Sequence, residues 1–329
     1  MAFIAYQPQQ MVRANGIELC FDVFGADDAE PMVMIMGLGA QLIHWDDDFC
    51  KALAACGFRV IRFDNRDIGH STKLSGSKRI TIKELLKLRF FGTPLDAPYT
   101  LRDMADDTIG LLDALDIEAA HVVGASMGGM IAQEIAISHP RRLRSLTSIM
   151  SSTGDPKLPQ PTREASMLLL ARHPATKDAY LKLFARTWKI LRNGSFPAEE
   201  ALDRDRAERT FARGLNPAGV GRQLRAILAS GDRTERLLSV RAPTLVIHGS
   251  NDPVVRPEAG RATAAAVPGA NLLMLEGMGH AIPMPMWPQI VNAIVSHARA
   301  ASPLKVAVPT RTTATERRQR HPLAQTSST

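Results

Sequence analysis

The sequence predicts an α/β fold, a mostly parallel twisted sheet flanked by helices with a helical insertion, and three observations carry that expectation. Short apolar runs alternate with segments of helical periodicity along most of the chain, as βαβ units require. The run Pro31-Met32-Val33-Met34-Ile35-Met36 is apolar throughout, like a strand covered on both faces. The pair Val122-Val123 feeds a turn of small residues and then the periodic run Met130, Ile131, Ile135, which reads as strand, sharp turn and helix. With 329 residues, 45% of them hydrophobic, the chain can bury a large core, and one domain of about 250 residues with an insertion fits better than two equal halves.

In chain order, residues 11–25 alternate like a hairpin, with Asn15-Gly16 as its two-residue turn. The apolar run at 31–36 ends in Gly37-Leu38-Gly39-Ala40, a loop small enough for backbone amides to approach a ligand. A helix is expected over 46–55, a strand over Arg59-Val60-Ile61-Arg62-Phe63-Asp64 and a helix over 101–115. Leu143–Ile149 closes the first half as a strand. From 155 to 236 the character changes: Pro156, Pro159 and Pro161 introduce a mainly helical, arginine-rich stretch broken at Asn193-Gly194 and Asn216-Pro217, which reads as a lid. Strand signals resume at Thr244–Gly249, at Asn251-Asp252-Pro253-Val254-Val255 and at Asn271–Leu275, and 287–298 reads as a closing helix. The expected division is a core over 1–150 and 241–301, a cap over 151–240, and a basic tail over 302–329 whose polar composition predicts disorder.

The formal net charge of +7 raises the question of nucleic acid. Its distribution points elsewhere, with +4 in the tail from Ala301, +6 between 155 and 236, and −3 over the rest. No recognition helix or aromatic-rich sheet accompanies the basicity, so it reads as a solvated face, with the arginines of the insertion in water. No apolar run approaches the roughly 18 residues of a membrane span, and the Met1-Ala2-Phe3-Ile4-Ala5-Tyr6 start lacks the features of a secretory leader. Cys20, Cys50 and Cys56 are an odd set without metal-ligand spacing, read as reduced, buried thiols. The expectation is a cytoplasmic monomer or homodimer, without metal or cofactor, acting on a small molecule.

The chemistry centres on Gly124-Ala125-Ser126-Met127-Gly128. A turn that lifts a serine hydroxyl clear of a sheet strains its backbone and brings strand and helix together, so glycines must flank it. Such a pattern is common by chance; its place between a strand and a helix marks Ser126 as a nucleophile. The helix behind it aims free N–H groups at the site. The Met127 N–H with the Leu38 N–H then forms an oxyanion hole. Serine needs a base, and the base an orienting acid. Asp252 follows Thr244–Gly249 and His280 follows Asn271–Leu275, each at the strand end where open α/β sheets place their ligands.

Other candidates read as structural. Asp64, Arg66 and Asp67 are expected to tie a loop together, and His44, His70, His121, His139, His173 and His248 to be satisfied in place. His44-Trp45 lies near the oxyanion loop and can line the pocket. Met127, Met130, Met278, Met284 and Met286 fit an apolar pocket and core packing equally well. In the insertion, Met167, Leu168, Leu169, Leu183, Phe184 and Trp188 are expected to face the substrate.

Residues 11–300 resemble the α/β-hydrolases through Met36-Gly37-Leu38-Gly39, Asp64-Asn65-Arg66-Asp67-Ile68-Gly69-His70-Ser71, Gly124-Ala125-Ser126-Met127-Gly128, Gly249-Ser250-Asn251-Asp252-Pro253 and Gly277-Met278-Gly279-His280. Within that superfamily the Met-Gly before the oxyanion loop and the Gly-Met-Gly-His-Ala run are similar to the aclacinomycin methylesterase group and related bacterial carboxylesterases. The resemblance implies Ser126 as nucleophile, His280 as base, Asp252 as its acid, and a carboxylesterase needing no cofactor. Perhydrolase, haloperoxidase-like and C–C bond hydrolase chemistry use the same triad, and a non-enzymatic ligand-binding module shares the fold. Dehalogenase and epoxide hydrolase relatives carry aspartate where this chain has Ser126.

Overall fold

The computed structural model describes residues 4–76, 81, 84, 95–169, 174, 176–193 and 196–301. The expected tail over 302–329 and His173 lie outside the described residues, as does the Leu169 side chain. The chain opens with the hairpin β1 (Tyr6–Ala14) and β2 (Ile17–Phe24). Both turn residues have positive φ, Asn15 at 46° and Gly16 at 79°, the geometry that matches strand twist in a two-residue turn.

Strand β3 (Glu30–Ile35) leads to α1 (Asp47–Ala55), whose first turn is capped by the Asp46 carboxylate accepting the Asp48 N–H. Then come β4 (Phe58–Phe63) and α2 (Leu101–Ala114), which starts in a reciprocal capping box between Thr100 and Asp103. Strand β5 (Ala120–Ala125), α3 (Met127–Ser138) and β6 (Leu143–Ile149) complete the first half. Between β6 and the next strand stand α4 (Arg163–Leu169), α5 (Lys177–Arg192), α6 (Glu200–Ala212) and α7 (Pro217–Ser230). The chain returns through β7 (Thr244–Gly249), α8 (Pro257–Ala266), β8 (Asn271–Leu275) and α9 (Trp287–Ala301).

The strands form one eight-stranded sheet in the order β1-β2-β4-β3-β5-β6-β7-β8. The β1–β2 and β2–β4 pairs are antiparallel and the remaining pairs parallel. The continuous apolar character of β3 follows from its central place. Val33 and Ile35 join a core against α2 and α3, while Met32 and Met34 join the opposite core against α1 and α9. Helix α3 is buried on nearly every side, which is why it lacks an amphipathic stripe. Cys20 and Cys50 are buried free thiols, pushed up by burial to about 11 and about 12, and Cys56 is half-buried and free.

Two expectations fail. Asn251-Asp252-Pro253-Val254-Val255 forms no strand: the Asp252 carboxylate accepts the Val254 and Val255 N–H groups, both at 2.8 Å, and so removes the donors a ladder would need. The insertion's arginines are not all in water either. Arg192, Arg206, Arg222, Arg225 and Arg233 are each 5% exposed or less. Burying a guanidinium is costly without partners, and these have them: Arg206 pairs with Asp46, Arg225 with Glu84, and Arg233 donates to Gln133 Oε1 and Ser152 O. Arg222 forks onto Asp67 at 2.6 and 2.8 Å, Arg192 pairs with Asp203 and Glu199, and Arg213 pairs with Asp64. The acidic loop after β4 thus ties the insertion to the sheet, beyond the local tie expected of Asp64, Arg66 and Asp67; Arg66 itself pairs with Asp107 on α2.

Candidate active site

Ser126 caps α3 at the end of β5 with φ 55° and ψ −120°, a conformation that costs a serine on the order of 1–3 kcal/mol. Four hydrogen bonds hold it there: its N–H donates to Ile149 O at 2.9 Å, and its carbonyl accepts from Gly129 N–H at 2.9 Å, Met130 N–H at 3.2 Å and Ser151 Oγ at 2.8 Å. The flanking glycines are steric requirements. A Cβ at Gly124 would stand 2.1 Å from Gly128 O, and one at Gly128 would stand 2.1 Å from Ile35 O.

Loops from three other strands meet this elbow at the C-terminal edge of the sheet. His280 Nε2 lies 3.0 Å from Ser126 Oγ, and His280 Nδ1 lies 2.7 Å from Asp252 Oδ2. Asp252 is fully buried, and with Oδ1 engaged by the two backbone N–H groups its Oδ2 is aimed at the imidazole. That carboxylate selects the tautomer with hydrogen on Nδ1 and a lone pair on Nε2 facing the hydroxyl. Gly37 follows β3 so closely against the elbow that a Cβ on it would be 3.1 Å from Ser126 Cβ. Leu38 and Met127 are each next in sequence to one of these two residues.

The sequence reading did not connect two features to the site. His248, on β7, places Nε2 3.6 Å from Asp252 Oδ2 and 2.8 Å from Val255 O, and burial holds its basicity below that of an ordinary histidine. Helix α5 reaches the two late loops with its C-terminal end. The His280 N–H donates to Leu191 O at 2.7 Å, and Asn193 Nδ2 donates to Asn251 O at 2.7 Å. Only Asn193-Gly194, already marked as a break, flagged that end in the sequence.

His44, expected to be satisfied in place, finds its partners in the insertion. Its Nε2 is 3.1 Å from Thr210 Oγ1, and its ring contacts Phe184 and Trp188. Burial first, and then Arg206, Arg209 and Arg213, push its pKa down to about 3. Phe184 is buried with Tyr180 and Ala207 in the insertion's own small core, and Met167 is exposed. Among the described residues no group of three or more His, Cys, Asp or Glu side chains could hold a metal ion, and no helix is long and apolar enough to cross a membrane.

The sequence profile of the alpha/beta hydrolase fold matches residues 30–285. The chain belongs to the α/β-hydrolase family. It is 29% identical over 317 residues to rhodomycin D methylesterase DauP of Streptomyces sp. (strain C5), covering 90% of this chain and 99% of that one. Among solved structures of α/β-hydrolases it is similar to the enol-lactonase from Burkholderia xenovorans LB400, at 25% identity and a TM-score of 0.66, covering 88% of this chain and all of that one (100%). In fold it is also similar to the meta-cleavage product hydrolase CumD from Pseudomonas fluorescens IP01, at 20% identity and a TM-score of 0.71, covering 89% of this chain and 98% of that one.

Proposed function

We propose that the protein is a serine carboxylic ester hydrolase that works through an acyl-enzyme. The observation that supports this above all is the continuous hydrogen-bonded line from Asp252 through His280 to Ser126, 2.7 Å and 3.0 Å long in its two links. Ser126 Oγ attacks the ester carbonyl while His280 Nε2 takes its proton, and the Leu38 and Met127 N–H groups receive the oxyanion. The tetrahedral intermediate expels the alcohol, which leaves with the proton from His280. Water, deprotonated by the same imidazole, then attacks the acyl-serine, and its collapse returns the proton to Ser126.

Similarity to a rhodomycin D methylesterase over nearly the whole length makes methyl esters the first class to assay, with the 151–240 insertion as a cap over Ser126. This reading has the enzyme cytoplasmic, a monomer or homodimer, and without nucleic-acid partners. A fluorophosphonate probe, with methyl esters and p-nitrophenyl esters of increasing acyl length, tests the reading. Covalent labelling that Ser126→Ala abolishes, together with ester turnover, supports it. A chain that neither labels nor hydrolyses any of these esters is not such an enzyme.

A further inference from the structure

Gln223 sits on α7 of the insertion and is fully buried. Its Oε1 accepts the Gly39 N–H at 2.9 Å, and its Nε2 donates to Arg66 O at 3.0 Å. The carboxamide therefore joins the loop after β3 to the loop after β4. Its orientation is fixed by chemistry, because only the amide nitrogen can donate to a carbonyl and only the oxygen can accept from Gly39. Val220, one turn earlier on α7, presses on the same point: a Cβ on Gly39, whose φ is +70°, would be 3.1 Å from Val220 Cγ2.

The consequence lies one peptide away. The Leu38 N–H belongs to the Gly37–Leu38 peptide, whose carbonyl accepts the Ala40 N–H at 3.2 Å. The preceding peptide is held through Met36 O, which accepts from Asn65 Nδ2 at 2.9 Å, and the following peptide is held through Gly39 N–H by Gln223. Each peptide is a rigid plane, so turning the central one between its two held neighbours would break the bond from Ala40 N–H to Gly37 O, and the three bonds together restrain it. Gly37 and Gly39 are otherwise the most permissive residues in the loop.

We infer that Gln223 is a positioning residue of the reaction: from the insertion it aims the Leu38 N–H at the oxyanion beside Ser126. This rests on Leu38 supplying half of the oxyanion hole. The orientation of that donor matters where charge develops, in the transition state, and little to the bound ester.

Gln223→Met keeps the side-chain length and removes both hydrogen bonds, whereas Gln223→Glu keeps an acceptor for Gly39. Asn216→Ala serves as control, since the Asn216 side chain ties the start of α7 to Asp67 O at 2.8 Å and not to the 37–40 loop's backbone groups that Gln223 and Asn65 hold. The readouts are kcat and KM on p-nitrophenyl acetate, affinity for a trifluoromethyl ketone whose Ser126 adduct carries an oxyanion, and melting temperature. Loss of a whole oxyanion donor costs about 10²–10³ in kcat, so misalignment in Gln223→Met should lower kcat by about 10- to 100-fold. KM should stay within about twofold, ketone affinity should fall in step with kcat, and Gln223→Glu should recover most of the loss.

Asn216→Ala should lower the melting temperature and leave kcat unchanged. Unchanged kcat and ketone affinity in Gln223→Met overturns the inference, as does an equal kcat loss in Asn216→Ala. Amide hydrogen exchange of the wild-type protein reads the clamp without any variant: a protected Gly39 N–H is expected, and exchange at the rate of an open loop overturns it. If the wild type hydrolyses no ester at all, the reaction reading fails, and the exchange result still decides whether the clamp exists.

Discussion

His280 Nε2 stands 3.0 Å from Ser126 Oγ although 154 positions separate the two residues in sequence. The contact depends on β5 and β8 ending at the same edge of the sheet and on a turn that holds the serine at positive φ. Ser126→Ala should therefore lower ester turnover by at least about 10³-fold, the scale lost with a triad member. Folding should survive, because alanine is smaller and meets the same backbone conformation. Steady-state kinetics beside a thermal melt checks this, and a folded variant with a tenth of wild-type activity would assign the nucleophile elsewhere.

Gly128→Ala should be far more damaging than its size suggests. The added methyl would stand 2.1 Å from Ile35 O, a backbone atom of the central strand that cannot turn aside. A loss of about 3 kcal/mol or more is expected, at the upper end of overpacking costs. Gly16→Ala is the comparison, with nothing within 4 Å of its added Cβ and only its φ of +79° against it, so about 1 kcal/mol is expected there. Urea unfolding of both variants would show whether steric contact or backbone strain dominates at the elbow; equal losses would refute the contact argument.

Much of this architecture was readable because local chemistry and long-range structure agree. Asn15-Gly16 demands a hairpin turn, and Val33 and Met34 demand burial on opposite faces of a strand. The small flanks of Ser126 demand a tight elbow, and the ends of β7 and β8 bring Asp252 and His280 to it. The misreadings arose where a tertiary partner overrides local pattern. Val254 and Val255 look like a strand until Asp252 takes their N–H groups. Arg222 looks like a solvated cation until Asp67 is found beside it. Gln223 gives no local signal at all, since its partners Gly39 and Arg66 lie 184 and 157 residues away.

Arg222→Met should destabilise the protein by about 3–5 kcal/mol, because it leaves the buried Asp67 carboxylate without its counter-ion. Asp67 is fully buried and, among the described residues, keeps Tyr99 Oη–H and Leu74 N–H as donors to its side chain. Arg222→Lys should restore little, since an ammonium cannot reproduce the paired contacts at 2.6 and 2.8 Å. Denaturant titration of the three proteins checks this, and a loss under 1 kcal/mol in Arg222→Met would mean the pair contributes no net stability.

Acid should weaken the fold in part through His44. Its folded pKa of about 3 lies below the ordinary 6.5, through burial and then the neighbouring Arg206, Arg209 and Arg213. Below pH 6.5 the unfolded chain binds a proton that the folded chain refuses, so stability falls as pH drops toward 3. The slope from one such group is at most about 1.4 kcal/mol per pH unit. His121, His248 and His297, also depressed by burial, act in the same sense. Urea unfolding between pH 7 and pH 5 should show a shallower dependence in His44→Gln by up to one proton, and parallel curves would exclude His44 as a contributor.

The hydrogen bond from Gly39 to Gln223 spans 184 positions, and that span sets an order of events during synthesis. Domains emerge amino end first, and contacts distant in sequence close last. A growing chain can pair β3, β4, β5 and β6 and shape the turn around Ser126 before residue 223 has left the ribosome. Gly39 then has no partner, and Asp252 and His280 have yet to emerge. On the proposed mechanism the growing chain carries Ser126 without its base over the 154 positions that separate it from His280, and activity arrives only once the loops after β7 and β8 have joined the fold.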